Sequence, residues 1–212
     1  SAEDRRLENN GNLILENIPP IPMSIKEELS KFQNVRSAAF RGFSNTEDGV
    51  FISTRFGNVS QLHYVGSPGA ARTQITYFQE PIGSTSIHPT GSSIAFTMDK
   101  GGTENAQIYL LDPDSASSRM LTDGTSRNGG PLWNNAGDQL AFQSTKRNGR
   151  SNDVWVMSSD DPENSELILE SPDGTWWGAA DWSKDDQRVL IQNYISVSNS
   201  KVYIVDLKTK KK

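Results

Sequence analysis

Cysteine is missing from all 212 positions, which excludes a disulfide framework, a thiolate nucleophile and any cysteine-ligated metal. A cysteine-free chain suits reducing and oxidising compartments alike, so cytoplasm and periplasm both stay open. No stretch approaches the roughly 18 consecutive apolar residues of a membrane-spanning helix. The first ten residues lack the apolar segment of a secretory signal, so a soluble chain is expected. Positive charge is not in excess either: 21 Lys and Arg stand against 26 Asp and Glu, a formal net charge of -5. A pI near 5.1 argues against nucleic acid or an anionic membrane as the partner of the whole surface. Hydrophobic residues reach only 34%, yet aromatic and β-branched residues recur throughout, so the chain is polar without being disordered. Its length allows one sizeable core or part of a larger one.

What the sequence does have is a repeat. FSNTEDGVFIST (43–54), HPTGSSIAFTM (88–98), NNAGDQLAFQS (134–144) and SKDDQRVLIQN (183–193) each join a turn to a short apolar strand. Val50, Ile94, Leu140 and Val189 open those strands, at steps of 44, 46 and 49 residues. A second family keeps the same period: QLHYV from Gln61, QIYLLD from Gln107, DVWVMS from Asp153 and KVYIVDL from Lys201, at steps of 46, 46 and 48. Weaker strands follow in RTQITYF (72–78), SRMLTD (118–123) and SELILES (165–171), and others precede each turn in GSTSIH (83–88), GGPLWN (129–134) and WGAADW (177–182). Each unit of about 46 residues thus holds four alternating strands, a to d, which is the content of one β-propeller blade. No gap between strands has room for a crossover helix, which excludes a βα reading.

The expected fold is therefore all-β, a propeller of four-stranded antiparallel blades spanning 36–78, 79–123, 124–171 and 172–212, the last one incomplete. An N-terminal arm, 1–35, precedes them. Within it, SIKEELSKF (24–32) reads as a short helix capped by Ser24, with Glu27 completing a capping box and Ile25, Leu29 and Phe32 on one face. The arm is expected to pack against the propeller or another domain. Two ways of treating the fourth blade stay open. NLILEN (12–17) could supply its outer strand and close a four-blade ring, or the blades belong to a larger propeller.

HPTGSSIAF, QIYLLD and RMLTDG resemble the Pro-Asp-Gly-type propeller repeats that open serine peptidases of the prolyl oligopeptidase family. That family includes dipeptidyl and acylaminoacyl peptidases. RSAAF, FISTRFG, TDGTSRNGGPLW and AFQSTKRNGRSNDVWVM are similar to its bacterial members, and the likeness runs from about Ile18 to Lys208. TolB-like propellers share the repeat. The resemblance implies a propeller that gates access to an α/β-hydrolase domain of the same protein and helps hold peptide. A TolB-like likeness implies a non-enzymatic scaffold for protein–protein interaction. The chain departs from the peptidase pattern in having no G-x-S-x-G: Gly57-Asn58-Val59-Ser60 and Gly91-Ser92-Ser93 lack the spacing. Its two histidines, His63 and His88, fall at repeat positions without a matching Ser and Asp. No catalytic residue is expected in this chain, and no motif demands a cofactor or a metal.

SPDGTWWG (171–178) reads as a tight turn before core aromatics, with Trp176 or Trp177 at the mouth of the central channel as the functional alternative. DPDS (112–115) and SDDPEN (159–164) cluster carboxylates without the Gly and Glu of a calcium loop, and read as turns. STKRNGRSND (144–153) carries Lys146, Arg147 and Arg150 between strands b and c. Connections b–c and d–a leave a blade on one face, a–b and c–d on the other. The first face gathers Arg55, Lys100, Arg127, Arg147 and Arg150 among interleaved acids, whereas the second is dominated by Asp and Glu. Arg55, Arg127, Arg147, Arg150 and Trp177 are thus the candidate residues for docking a peptide or a hydrolase domain, because the planar guanidinium binds carboxylates bidentately. A solvated basic turn is the plain alternative.

Overall fold

The computed structural model describes residues 5–33 and 36–212. Four antiparallel sheets follow one another along the chain, each in sequential order. The first holds β3 (Ala38–Phe43), β4 (Val50–Thr54), β5 (Gln61–Val65) and β6 (Thr73–Gln74). The second holds β7 (Ile82–Ile87), β8 (Ile94–Met98), β9 (Gln107–Asp112) and β10 (Ser117–Met120). The third holds β11 (Asn128–Trp133), β12 (Gln139–Ser144), β13 (Asp153–Ser158) and β14 (Glu166–Leu169). The fourth has three strands, β15 (Trp176–Trp182), β16 (Arg188–Ser196) and β17 (Asn199–Asp206). The first strands of successive sheets touch one another, β3 with β7, β7 with β11 and β11 with β15, so they converge as the inner strands of propeller blades. Every inner strand carries a register shift against its neighbour, which bends it where the blades crowd together.

The core lies between blades. Side chains alternate across a strand, so each second strand feeds two interfaces. Ile94 and Phe96 face the first blade, while Ala95 between them faces the third. Leu140 and Phe142 face the second blade and Ala141 the fourth. Burial on both faces is why IAF and LAF are continuous apolar runs. Each large side chain removed from water there contributes about 1.5–3 kcal/mol.

Polar ties join consecutive a–b turns. Asn45 Nδ2 donates to His88 O at 2.8 Å, and His88 Nε2 donates to Gly137 O at 2.8 Å. The Asp186 carboxylate accepts from the backbone N–H groups of Asn135 and Ala136, both at 2.9 Å. Gly137 has φ +78°, and a Cβ there would strike the His88 ring. Deeper, Trp133 Nε1 donates to Ser86 O and Trp182 Nε1 to Leu132 O, so repeat-equivalent indoles each bond the preceding blade.

The N-terminal arm excludes one of the two readings left open for its strand, and departs from its expected form at the helix cap. Leu13–Glu16 (β2) pairs with Arg5–Glu8 (β1) as a separate hairpin, Arg5 opposite Glu16, and does not add to β17. No described strand therefore completes the fourth blade. The helix α1 runs Met23–Gln33, and Pro22 O accepts from the N–H groups of Ile25 and Lys26. Ser24 thus lies inside the first turn and does not cap it, because the rigid Pro-rich entry sets the helix start earlier. Its apolar face is unpacked: Ile25 and Leu29 are exposed, and Phe32 is 73% exposed.

Candidate docking face

The face is built by a polar residue at the start of each third strand. Gln61, Gln107 and Asp153 are repeat-equivalent and buried. Gln61 Oε1 accepts from Phe78 N and its Nε2 donates to Glu80 O, pinning the d–a loop of the first blade. Gln107 does the same in the second blade, accepting from Gly124 N and donating to Ser126 O. In the third blade Asp153 accepts from Ser171 N at 2.8 Å. A carboxylate brings a charge that the amides did not, and its side chain is 0% exposed. Arg147 supplies the countercharge through Nε at 2.6 Å and Nη2 at 3.1 Å, while its Nη1 reaches Glu170 at 2.7 Å. The bidentate fork expected to bind a ligand is thus occupied by the protein itself.

The other candidates separate as clearly. Trp177 is 2% exposed, stacked on Tyr203 at 5.2 Å and hydrogen-bonded through Nε1 to Asp173. It belongs to the core between the third and fourth blades, which removes it from any docking surface; Trp176 beside it is the exposed one. Arg55 donates to Gln33 O at the end of α1, and so fastens the arm to the first blade's b–c loop. Arg127 and Arg150 remain together. The loops carrying them are joined by Thr145 N to Arg127 O, and by Arg127 N to Thr145 Oγ1, each at 3.0 Å. With Thr103, Glu104, Asn105 and Thr145 they line a polar groove of about 390 Å³. The Arg127 guanidinium keeps one contact, to Asn152 Oδ1 at 3.2 Å. That of Arg150 has no polar partner among the described residues.

Lys146 turns away from this groove. Its Nζ lies 3.9 Å from the centre of the Trp155 ring and meets Ser165 Oγ. Burial lowers its pKa from 10.5, against the attraction of Asp123. Burial also pushes the Asp123 carboxyl up, but hydrogen bonds from Ser126 and Thr125 outweigh this and leave its pKa below the ordinary value. On the opposite face the acids are mostly turn builders. Asp112 accepts from Asp114 N and Ser115 Oγ, and Asp185 from Ser183 Oγ and Gln187 N. Among the described residues no group of three or more His, Asp or Glu is placed to hold a metal ion. SPDGTWWG is a turn, with Asp173 Oδ1 accepting from Thr175 N, Thr175 Oγ1 and Trp177 Nε1.

Both histidines are committed to the fold. His63 is buried and its Nδ1 donates to Gln61 O at 3.0 Å; His88 bridges two turns, accepting Gly91 N at Nδ1. Sequence reasoning missed one element of the face. The hairpin turn of the arm rests on the second blade's b–c loop, where Asn12 Nδ2 donates to Gly101 O and Asn9 and Asn10 pack on Gly102 and Gly101. The triple Asn beside Gly101-Gly102 carried no pattern that could have announced it.

Comparison with known proteins places this architecture. No curated protein sequence matches the chain. Among solved structures, a prolyl endopeptidase described for its inter-domain dynamics superposes with a TM-score of 0.65 at 13% identity, covering 83% of this chain and 29% of its own. TolB from Acinetobacter baumannii gives 0.62 at 16% identity, covering 97% of this chain and 46% of its own. A putative TolB from Agrobacterium tumefaciens gives 0.64 at 18%, covering 97% and 76%. The chain thus spans less than half of the first two. At such identities the likeness is one of fold. No described helix is long and apolar enough to cross a membrane. The family model for the prolyl oligopeptidase N-terminal β-propeller domain matches residues 80–212, the second to fourth blades, and the chain belongs to that family.

Proposed function

We propose that the chain is the non-catalytic propeller portion of a prolyl oligopeptidase-like serine peptidase, which gates access to a separate α/β-hydrolase domain and helps hold its peptide. The observation that carries this reading is the Arg127–Arg150 groove. It lies where b–c and d–a loops meet, and it holds a guanidinium without a partner among the described residues. A peptide carboxylate entering it gains charge-assisted hydrogen bonds, about 1.5–3 kcal/mol each. Hydrolysis needs groups supplied from elsewhere, since both imidazoles are tied to backbone and no nucleophile elbow occurs. The test is fluorescence anisotropy of a labelled short peptide with a free C-terminal carboxylate. Arg127→Glu with Arg150→Glu weakens binding at least about tenfold, and amidating the peptide does the same to the unaltered chain. Unchanged affinity in both experiments refutes the reading. So does peptide turnover by the chain alone that a serine-directed inhibitor abolishes.

The exposed apolar face of α1 favours a second reading, a TolB-like scaffold that binds a protein partner. Leu29→Asp with Phe32→Asp then abolishes partner capture and leaves peptide affinity untouched, whereas the groove variant has the opposite effect.

A further inference from the structure

The loop between β4 and β5 fastens the N-terminal arm to the first blade, and the same loop covers a buried imidazole. Arg55 in it donates to Gln33 O at the end of α1. Phe56 packs on His63 with ring centroids 5.2 Å apart, and the Arg36 guanidinium lies 5.1 Å from the centre of the same Phe56 ring. His63 is 1% exposed. Its Nδ1 donates to Gln61 O at 3.0 Å, which leaves Nε2 an acceptor, buried and without a donor among the described residues. Its cross-strand neighbours, Ile52 on β4 and Gln74 on β6, carry no charge. The charged groups of this assembly are cations: Arg72 ahead of β6, Arg36 across the Phe56 ring and Arg55 in the covering loop. Glu80, whose backbone Gln61 holds, turns its carboxylate to Gly101 N of the second blade.

A proton on Nε2 puts a charge and an unserved N–H into a closed site already ringed by guanidinium groups, and both are costly there. Burial holds the His63 pKa below 6.5 against the hydrogen bond to Gln61 O, and Arg72 lowers it further. Once the loop lifts, water serves Nε2 and the imidazole takes up a proton as an ordinary histidine does. We propose that this loop is a proton-operated latch on the N-terminal arm, closed over neutral His63 and opened when His63 is protonated, so that Arg55 lets go of the end of α1. Little else resists release, since α1 buries none of its residues. The hairpin turn stays on the second blade through Asn12 and Gly101, so the helix swings out on a tether. None of the latch residues lines the arginine groove, so the two sites are tested apart.

Because the chain has no cysteine of its own, Lys31→Cys on α1 and Thr73→Cys on β6 give a unique pair of spin-label sites. Double electron–electron resonance then reads the fractions of held and released helix. The open form takes up its proton near pH 6.5 and the closed form only below it. The released-to-held ratio should therefore rise about tenfold between about pH 7.5 and 5.5, and about tenfold again by about pH 4.5. His63→Gln should hold the ratio within about twofold over the same range. Arg55→Ala should raise it already at about pH 7.5, by about tenfold or more. The proposal is overturned if no released population appears by about pH 4.5, or if the His63→Gln chain responds to pH as the parent does. Release that coincides with loss of the near-UV circular dichroism of the blades overturns it too, because the event is then global unfolding. If His63→Gln fails to fold, the imidazole resonance of His63 decides, with His88 as the only other histidine. A titration midpoint that matches helix release supports the latch, and one without helix release refutes it.

Discussion

Replacing Arg147 by Ala should destabilise the chain far more than removing a loop cation normally does. The reason is Asp153, whose carboxylate has no exposure of its own and whose other oxygen partner is the single N–H of Ser171. Removing one member of a buried pair leaves an uncompensated charge, at a cost of about 3–5 kcal/mol. Arg147 keeps 28% of its side chain exposed, so water reaches the edge of the site and the lower end, about 3 kcal/mol, applies. For a chain of this size each kcal/mol lowers the melting midpoint by about 2–4 °C, giving a drop of about 6–12 °C. The double substitution Arg147→Ala, Asp153→Gln should recover to within about 1 kcal/mol of the unaltered chain. It removes the charge and installs the amide that Gln61 and Gln107 already use at the equivalent positions. Thermal unfolding followed by circular dichroism, with urea titration as a check, reads both. A single variant within about 1 kcal/mol of the parent, or a double variant no better than the single, would refute the countercharge argument.

Acidification should destabilise the chain through His63, whose pKa is lowered from 6.5 by burial, with Arg72 adding to the effect against the Gln61 O hydrogen bond. The unfolded chain takes up the proton first, so this contribution is complete above pH 6.5 and shrinks as pH falls below it; His63→Gln should flatten that part of the stability profile measured in urea. Trp182→Phe keeps the aromatic packing but deletes the Nε1 bond to Leu132 O, and should cost about 1–2 kcal/mol by the same assay. Phe142→Ala empties the interface between the second and third blades and should cost about 3–5 kcal/mol, with a folded-state loss of near-UV circular dichroism.

The blades were legible because their signals are local. Turn residues at a fixed offset before an apolar run, repeated at about 46 residues, specify four antiparallel strands without any knowledge of what they pack against. The equivalence of Gln61, Gln107 and Asp153 was readable for the same reason. That Asp153 consumes Arg147 was not, since strand and loop positions do not say which way a guanidinium folds back. Trp177 shows the complementary difficulty. WW in a strand says that one indole faces inward and its neighbour outward, and only the sheet packing says that Trp177 is the inner one.

By itself the sequence determined an all-β repeat fold and the order of strands within each blade. These depend on residue type and short-range spacing, which every chain carries in one dimension. Tertiary structure alone decided which cations are available to a ligand. Arg55 is fastened to the arm, Arg147 neutralises a buried acid, and Arg127 and Arg150 are left lining one groove. It also decided that β2 pairs with β1, and that the hairpin turn lies on a loop 89 residues away. Such contacts join groups distant in sequence through a few hydrogen bonds, and no periodicity encodes them.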